Sequence, residues 1–155
     1  MFINKNISEG RKMARLKNIP ALTVLALAAV MASGPVFADT MKFKADLKGA
    51  SEVPPADSAG TGTADVSVDT DTKKLSWTVN YSGLSGDATA AHFHGPAAAG
   101  ENAGPAVDIS AAIMSGSADL TDQLLADLQA GKWYINIHTA KFPDGEIRGQ
   151  LEMTQ

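Results

Sequence analysis

From Met41 onward the apolar residues of this chain fall on every second position, and that period commits it to β-strands with one buried face. Met41, Phe43, Ala45 and Leu47 alternate with Lys42, Lys44, Asp46 and Lys48. Ala64, Val66 and Val68 alternate with Thr63, Asp65, Ser67 and Asp69, and Leu75, Trp77, Val79 and Tyr81 with Ser76, Thr78, Asn80 and Ser82. The polar run Asp69–Lys73 between the last two segments makes them a hairpin. Pro54 and Pro55 break the first strand, because proline has no N–H for a ladder, and Gly60 and Gly62 are read as a turn. Further strands are expected at Ala88–His94, Ala106–Ile109, Lys132–Thr139 and Glu146–Met153, the last with Ile147, Leu151 and Met153 on one face. One helix fits Gln123–Ala130, capped by Thr121 or Asp122 and stopped by Gly131. Seven or eight antiparallel strands with one short helix in a long connection read as an all-β, Greek-key antiparallel β-sandwich. The expected core is Phe43, Leu47, Val66, Val68, Trp77, Val79, Phe93, Trp133, Ile135, Ile137, Ile147 and Leu151.

The first 38 residues carry a different pattern. Arg11, Lys12, Arg15 and Lys17 precede an apolar run from Ile19 to Met31, and Val36-Phe37-Ala38 places small residues where a signal peptidase cuts. Residues 1–38 are therefore expected to be a signal peptide, with Met13 a second possible start and an uncleaved anchor the competing reading. The apolar run is short against the ~20 residues that span a bilayer. Residues 39–155 are expected to form one domain, periplasmic or secreted and free of the membrane in its mature form. That segment holds 8 Lys/Arg and 16 Asp/Glu, a net charge of −8. Such acidity excludes nucleic acid as a partner and disfavours docking on anionic lipid. The chain has no cysteine, which excludes disulfides, thiolate chemistry and cysteine-ligated zinc or iron–sulfur sites.

All three histidines of the chain lie in this segment. His92 and His94 are two apart on an expected strand, so both imidazoles leave the same face. His138 follows Trp133-Tyr134-Ile135-Asn136-Ile137, where Trp133, Ile135 and Ile137 take one face and Tyr134, Asn136 and His138 the other. A His-x-His pair with a third histidine from another strand offers three nitrogen ligands, which suit copper or zinc. Histidines without any metal are the alternative on residue types alone. Asp144 and Glu146 flank a turn and are read as solvated, and no nucleophile-elbow motif supports hydrolysis.

Several strings also resemble a known family. Lys48-Gly49-Ala50-Ser51-Glu52-Val53-Pro54-Pro55, Ala90-Ala91-His92-Phe93-His94-Gly95-Pro96, Tyr134-Ile135-Asn136-Ile137-His138-Thr139-Ala140 and Pro143-Asp144-Gly145-Glu146-Ile147-Arg148-Gly149-Gln150-Leu151 resemble the CHRD (chordin-type) domain family, in the right order. That resemblance implies export and little about activity. A more distant resemblance is to Cu/Zn superoxide dismutases, Greek-key sandwiches with a His-x-His pair and a later copper histidine. It implies a superoxide-dismutase-like fold, copper held by His92, His94 and His138, and Arg148 as the anion-guiding residue of a catalytic site. No histidine remains for a bridge or a zinc site, so the implied centre is copper-only. Two functions follow as expectations: an exported copper protein, with superoxide as substrate or with copper merely handled, or a non-enzymatic extracellular binding or structural module.

Overall fold

The computed structural model describes residues 39–154, and the expected signal peptide lies outside them. Among the described residues no helix is long and apolar enough to cross a membrane. Nine strands form one antiparallel sheet: β1 Thr40–Lys48, β2 Thr61–Asp69, β3 Lys74–Ser82, β4 Ala88–His94, β5 Pro105–Asp108, β6 Ser115–Asp119, β7 Tyr134–Thr139, β8 Ile147–Gln150 and β9 Glu152–Thr154. Their order is β5-β4-β7-β8-β1-β2-β3-β6, with β9 also pairing β1. Only Lys48↔Arg148 joins β1 to β8, so the sheet bends there and folds its two halves face to face. Trp77 of β3 meets Phe93 of β4 edge-on across the gap, with ring centroids 5.8 Å apart. The chain passes between halves from β3 to β4, from β5 to β6 and from β6 to β7, as the expected sandwich requires.

All twelve expected core residues are buried. The helix α1 spans Asp122–Gln129, with Thr121 as its cap: the Thr121 hydroxyl oxygen accepts from Leu124 N–H at 3.2 Å. Leu125 and Leu128 turn inward, and Gly131 ends the helix with φ +70°. Burying Leu128 alone is worth about 2 kcal/mol of transfer free energy.

Three expectations need correction. Gly62 is not in a turn but inside β2, paired with Leu47 and Tyr81, where a Cβ would lie 2.9 Å from Asn80 O. The segment Ser115–Asp119 is a strand that period-two reading overlooks, because its inward positions are Gly116 and Ala118. Gly116 has to be small: a Cβ there would collide with the Trp77 indole. Met153 is exposed, not buried with Ile147 and Leu151. Leu151 N–H still bonds Trp133 O, but the chain then leaves β7 and runs beside β1 as β9.

Candidate metal centre

The half-sheet β5-β4-β7-β8 buries its aliphatic face in the core and turns a polar face outward. One cross-strand row on that face is Asp108, His92, Asn136 and Arg148, taken from β5, β4, β7 and β8 in turn. The next row holds His94, Tyr134 and Gln150, and His138 opposes Ala90. This polar face is not left to solvent: every residue of β7 is buried. The segment Glu101–Ala103 and the Glu52–Val53 turn lie against it, joined by a hydrogen bond from Asn102 Nδ2 to Val53 O.

The three expected ligands converge. One nitrogen from each of His92, His94 and His138 lies within 4.8 Å of the others. His92 Nδ1 and His138 Nε2 are 3.1 Å apart, close to the ~3.3 Å between two tetrahedral nitrogens each ~2.0–2.1 Å from an ion.

Carbonyl oxygens only accept, and this decides which nitrogens are free. His138 Nδ1–H donates to Pro143 O at 2.9 Å, which leaves Nε2 with its lone pair. His94 meets an acceptor on each side, Ala103 O 2.9 Å from Nδ1 and Asn136 Oδ1 2.9 Å from Nε2, so its Nε2 is free to ligate only in the tautomer whose Nδ1–H donates to Ala103 O. His92 Nε2 lies 3.9 Å from the exposed Asp108 carboxylate, leaving Nδ1 toward His138. His94 and His138 thus each have a carbonyl partner for Nδ1, the arrangement that orients histidines in metal sites, while Asp108 stands beyond hydrogen-bond distance of His92. His94 and His138 are buried and His92 is half-buried, so the open side is at His92. Burial first, then the neighbouring His138 and His94, hold the His92 pKa below the ordinary 6.5, with Asp108 opposing. Burial likewise lowers His94 against the pull of Ala103 and Asn136. Both rings are therefore neutral, and able to ligate, somewhat below neutral pH.

Arg148 is buried, although it carries a full charge. Its Nη1 donates to Asn102 Oδ1 at 2.8 Å and its Nη2 to Glu101 O at 2.6 Å, and its Cζ sits 3.4 Å from the Tyr134 ring centroid. Tyr134 in turn stacks on His94, parallel within 1° at 4.7 Å. Glu52 packs nearby; burial raises its carboxyl from 4.5 to about 7, against the Arg148 charge and an Asn136 hydrogen bond.

Glu146 is a correction: it is not solvated at the turn but fully buried. The Pro143–Gly145 turn folds it inward, where Ser58, Ser85 and Thr139 all donate to it. Asp144 is exposed, as expected. Tyr134 and Asn136 were visible in sequence as sharing the face of His138. The roles of Glu52, Asn102 and the Ala103 and Pro143 carbonyls were not, because they come from loops.

No curated protein and no solved structure matches the chain. The sequence model of the CHRD domain family matches residues 43–151, which takes in most of β1, all of β2 to β8 and all three histidines, and the chain therefore belongs to the CHRD domain family.

Proposed function

We propose that this CHRD-domain protein is an exported copper protein whose His92, His94 and His138 hold one ion through three imidazole nitrogens. The observation that carries the reading is the convergence of every histidine in the chain, with a carbonyl partner for Nδ1 of His94 and of His138. Three nitrogens without thiolate or carboxylate suit copper, and zinc is the second metal they fit. His94 and His138 are buried, and the half-open His92 side leaves room for an exogenous ligand. Export is supported by the signal-peptide pattern of residues 1–38 and by the absence of any need for a reduced thiol.

Copper, when bound, supplies one-electron redox chemistry, by which one superoxide is oxidised to O2 and a second is reduced, with two protons, to H2O2. The surroundings favour copper handling over fast dismutation. The net charge of −8 repels an anion at long range, and steered encounter needs a local positive field. Arg148 is the cation expected to guide the anion, but its guanidinium is buried beneath Glu101 and Asn102. Lys141, exposed and three residues beyond His138, is the other cation to test for that task.

The test is titration of the exported protein with Cu(II), followed by electron paramagnetic resonance. One equivalent should bind with nitrogen hyperfine structure, and His138→Ala should weaken binding at least ~10-fold. Unchanged copper affinity in His138→Ala would end the reading. Superoxide decay no faster with the loaded protein than with the metal-free protein would make the centre one for copper handling.

A further inference from the structure

The segment Glu101–Ala103 lies directly over the candidate centre and is tied down by side chains of three strands. Arg148 from β8 holds Glu101 O and Asn102 Oδ1. Tyr134 from β7 donates its hydroxyl to Ala103 O at 3.2 Å and accepts from Ala103 N at 3.3 Å. His94 from β4 donates to the same Ala103 O. The segment is otherwise a surface loop: Glu101 and Asn102 are exposed, and no strand pairs with them.

We propose that Arg148 is a positioning residue for the metal centre, which delivers Ala103 O to His94 Nδ1 and so makes Nε2 the ligating nitrogen. Two routes run from Arg148 to His94. The first is the strap itself: with Glu101 O and Asn102 Oδ1 fixed by the guanidinium, Ala103 O has one place to be. The second is the stack in which Arg148 caps the Tyr134 ring and that ring lies parallel to the His94 imidazole. A planar guanidinium suits both tasks, because it stacks on an aromatic face while its edge donates to two oxygens. An ammonium group would do neither well. Without the strap His94 loses the acceptor at Nδ1 while Asn136 Oδ1 still accepts at Nε2, so the proton would settle on Nε2 and the ring would offer the wrong nitrogen.

This inference takes its purpose from the copper reading, but it can be tested apart from it. The tautomer of His94 is read from imidazole nitrogen shifts of the metal-free exported protein labelled with nitrogen-15. The wild type should show Nδ1–H at His94. Arg148→Lys and Asn102→Ala should shift His94 toward the Nε2–H tautomer that Asn136 Oδ1 favours, with His138 unchanged, since its acceptor is Pro143 O. The same variants should bind Cu(II) about 10–100-fold more weakly. Asn102 is exposed, so Asn102→Ala folds even if changes at Arg148 do not. A wild-type tautomer at His94 in Asn102→Ala and in a folded Arg148→Lys would overturn the proposal. A wild type that takes up no copper would end the copper reading, and the nitrogen shifts would still decide the role of Arg148.

Discussion

Glu146→Gln should cost the fold a few kcal/mol and remove part of its acid sensitivity. The carboxylate is fully buried and accepts four hydrogen bonds. Ser58 Oγ and Ser85 N donate to Oε1 at 2.7 Å each, and Ser85 Oγ and Thr139 Oγ1 donate to Oε2 at 2.7 and 2.6 Å. Bonds to a charged acceptor contribute ~1.5–3 kcal/mol and neutral ones about 1, so weakening four of them costs ~2–4 kcal/mol before the relief of burying no charge. The carboxyl group itself points to the same size. Burial pushes its pKa up, but donors from Thr139, Ser58 and Ser85 outweigh that and bring it from 4.5 to about 2. At 1.36 kcal/mol per pH unit this is on the order of 3 kcal/mol. The folded state binds the proton more weakly than the unfolded chain. The contribution is therefore complete above about pH 4.5 and is lost as pH falls toward 2. Thermal denaturation followed by circular dichroism should show the variant melting ~10 °C lower near neutral pH, with the gap closing on acidification. A variant within ~0.5 kcal/mol of wild type at neutral pH, or a gap that persists at pH 2, would refute this account of Glu146.

Glu52→Gln should act in the opposite sense: its carboxyl is raised to about 7, so wild type loses stability as pH rises from 4.5 through 7, and the variant should escape that loss in urea unfolding at each pH. His92 and His94 resist protonation in the folded state, so metal-free protein should lose stability as pH drops below 6.5. A His92→Ala/His94→Ala double variant should show a shallower decline there, and an unchanged slope would remove these rings from the titration. Gly95→Ala should cost ~1–3 kcal/mol, because the new methyl would lie 2.5 Å from Trp133 Cδ1 and 2.8 Å from Lys132 O. Equilibrium unfolding with no loss for Gly95→Ala would show that the Trp133 indole has room to shift.

Alternation made most of the fold legible. Phe43, Val66, Trp77 and Ile135 declare their faces because each neighbour along the strand is polar or faces the other way. The rule fails where the inward side chain is small or the partner strand changes. Gly116 carries no side chain to signal that it packs on Trp77, and Met153 keeps the period of Leu151 after the chain has moved to β1. The histidine cluster was legible for the same reason as the core: His-x-His must share a face, and His138 stands opposite Ile137 in its strand. Glu146 was misjudged because a turn composition predicts exposure, while its burial depends on Ser58 and Ser85 from distant segments. Loop contacts of that kind have no period to read.

The strings that resemble the CHRD family meet on one face of the sandwich, and this says what kind of feature they mark. Lys48–Pro55 brings Glu52, Ala90–Pro96 brings His92 and His94, Tyr134–Ala140 brings Tyr134, Asn136 and His138, and Pro143–Leu151 brings the Pro143 carbonyl, Arg148 and Gln150. These segments span about a hundred residues of chain, yet their polar side chains form one layer on the outside of β4, β7 and β8. If the strings described packing alone, equally distinctive ones would be expected in β2 and β3, which supply Val66, Val68, Leu75 and Val79 to the core. Those strands show only alternation, which many sequences satisfy. A buried polar layer is far more demanding, since each donor needs an acceptor at a set distance and few residue types supply it. Glu101–Ala103 completes that layer: Ala103 contributes only its carbonyl and N–H, which His94 and Tyr134 hold, and Arg148 holds Glu101 O and Asn102 Oδ1. The fold of β1, β2 and β3 is thus a support that many apolar sequences could provide, and the layer around His94 is the part that requires these residues.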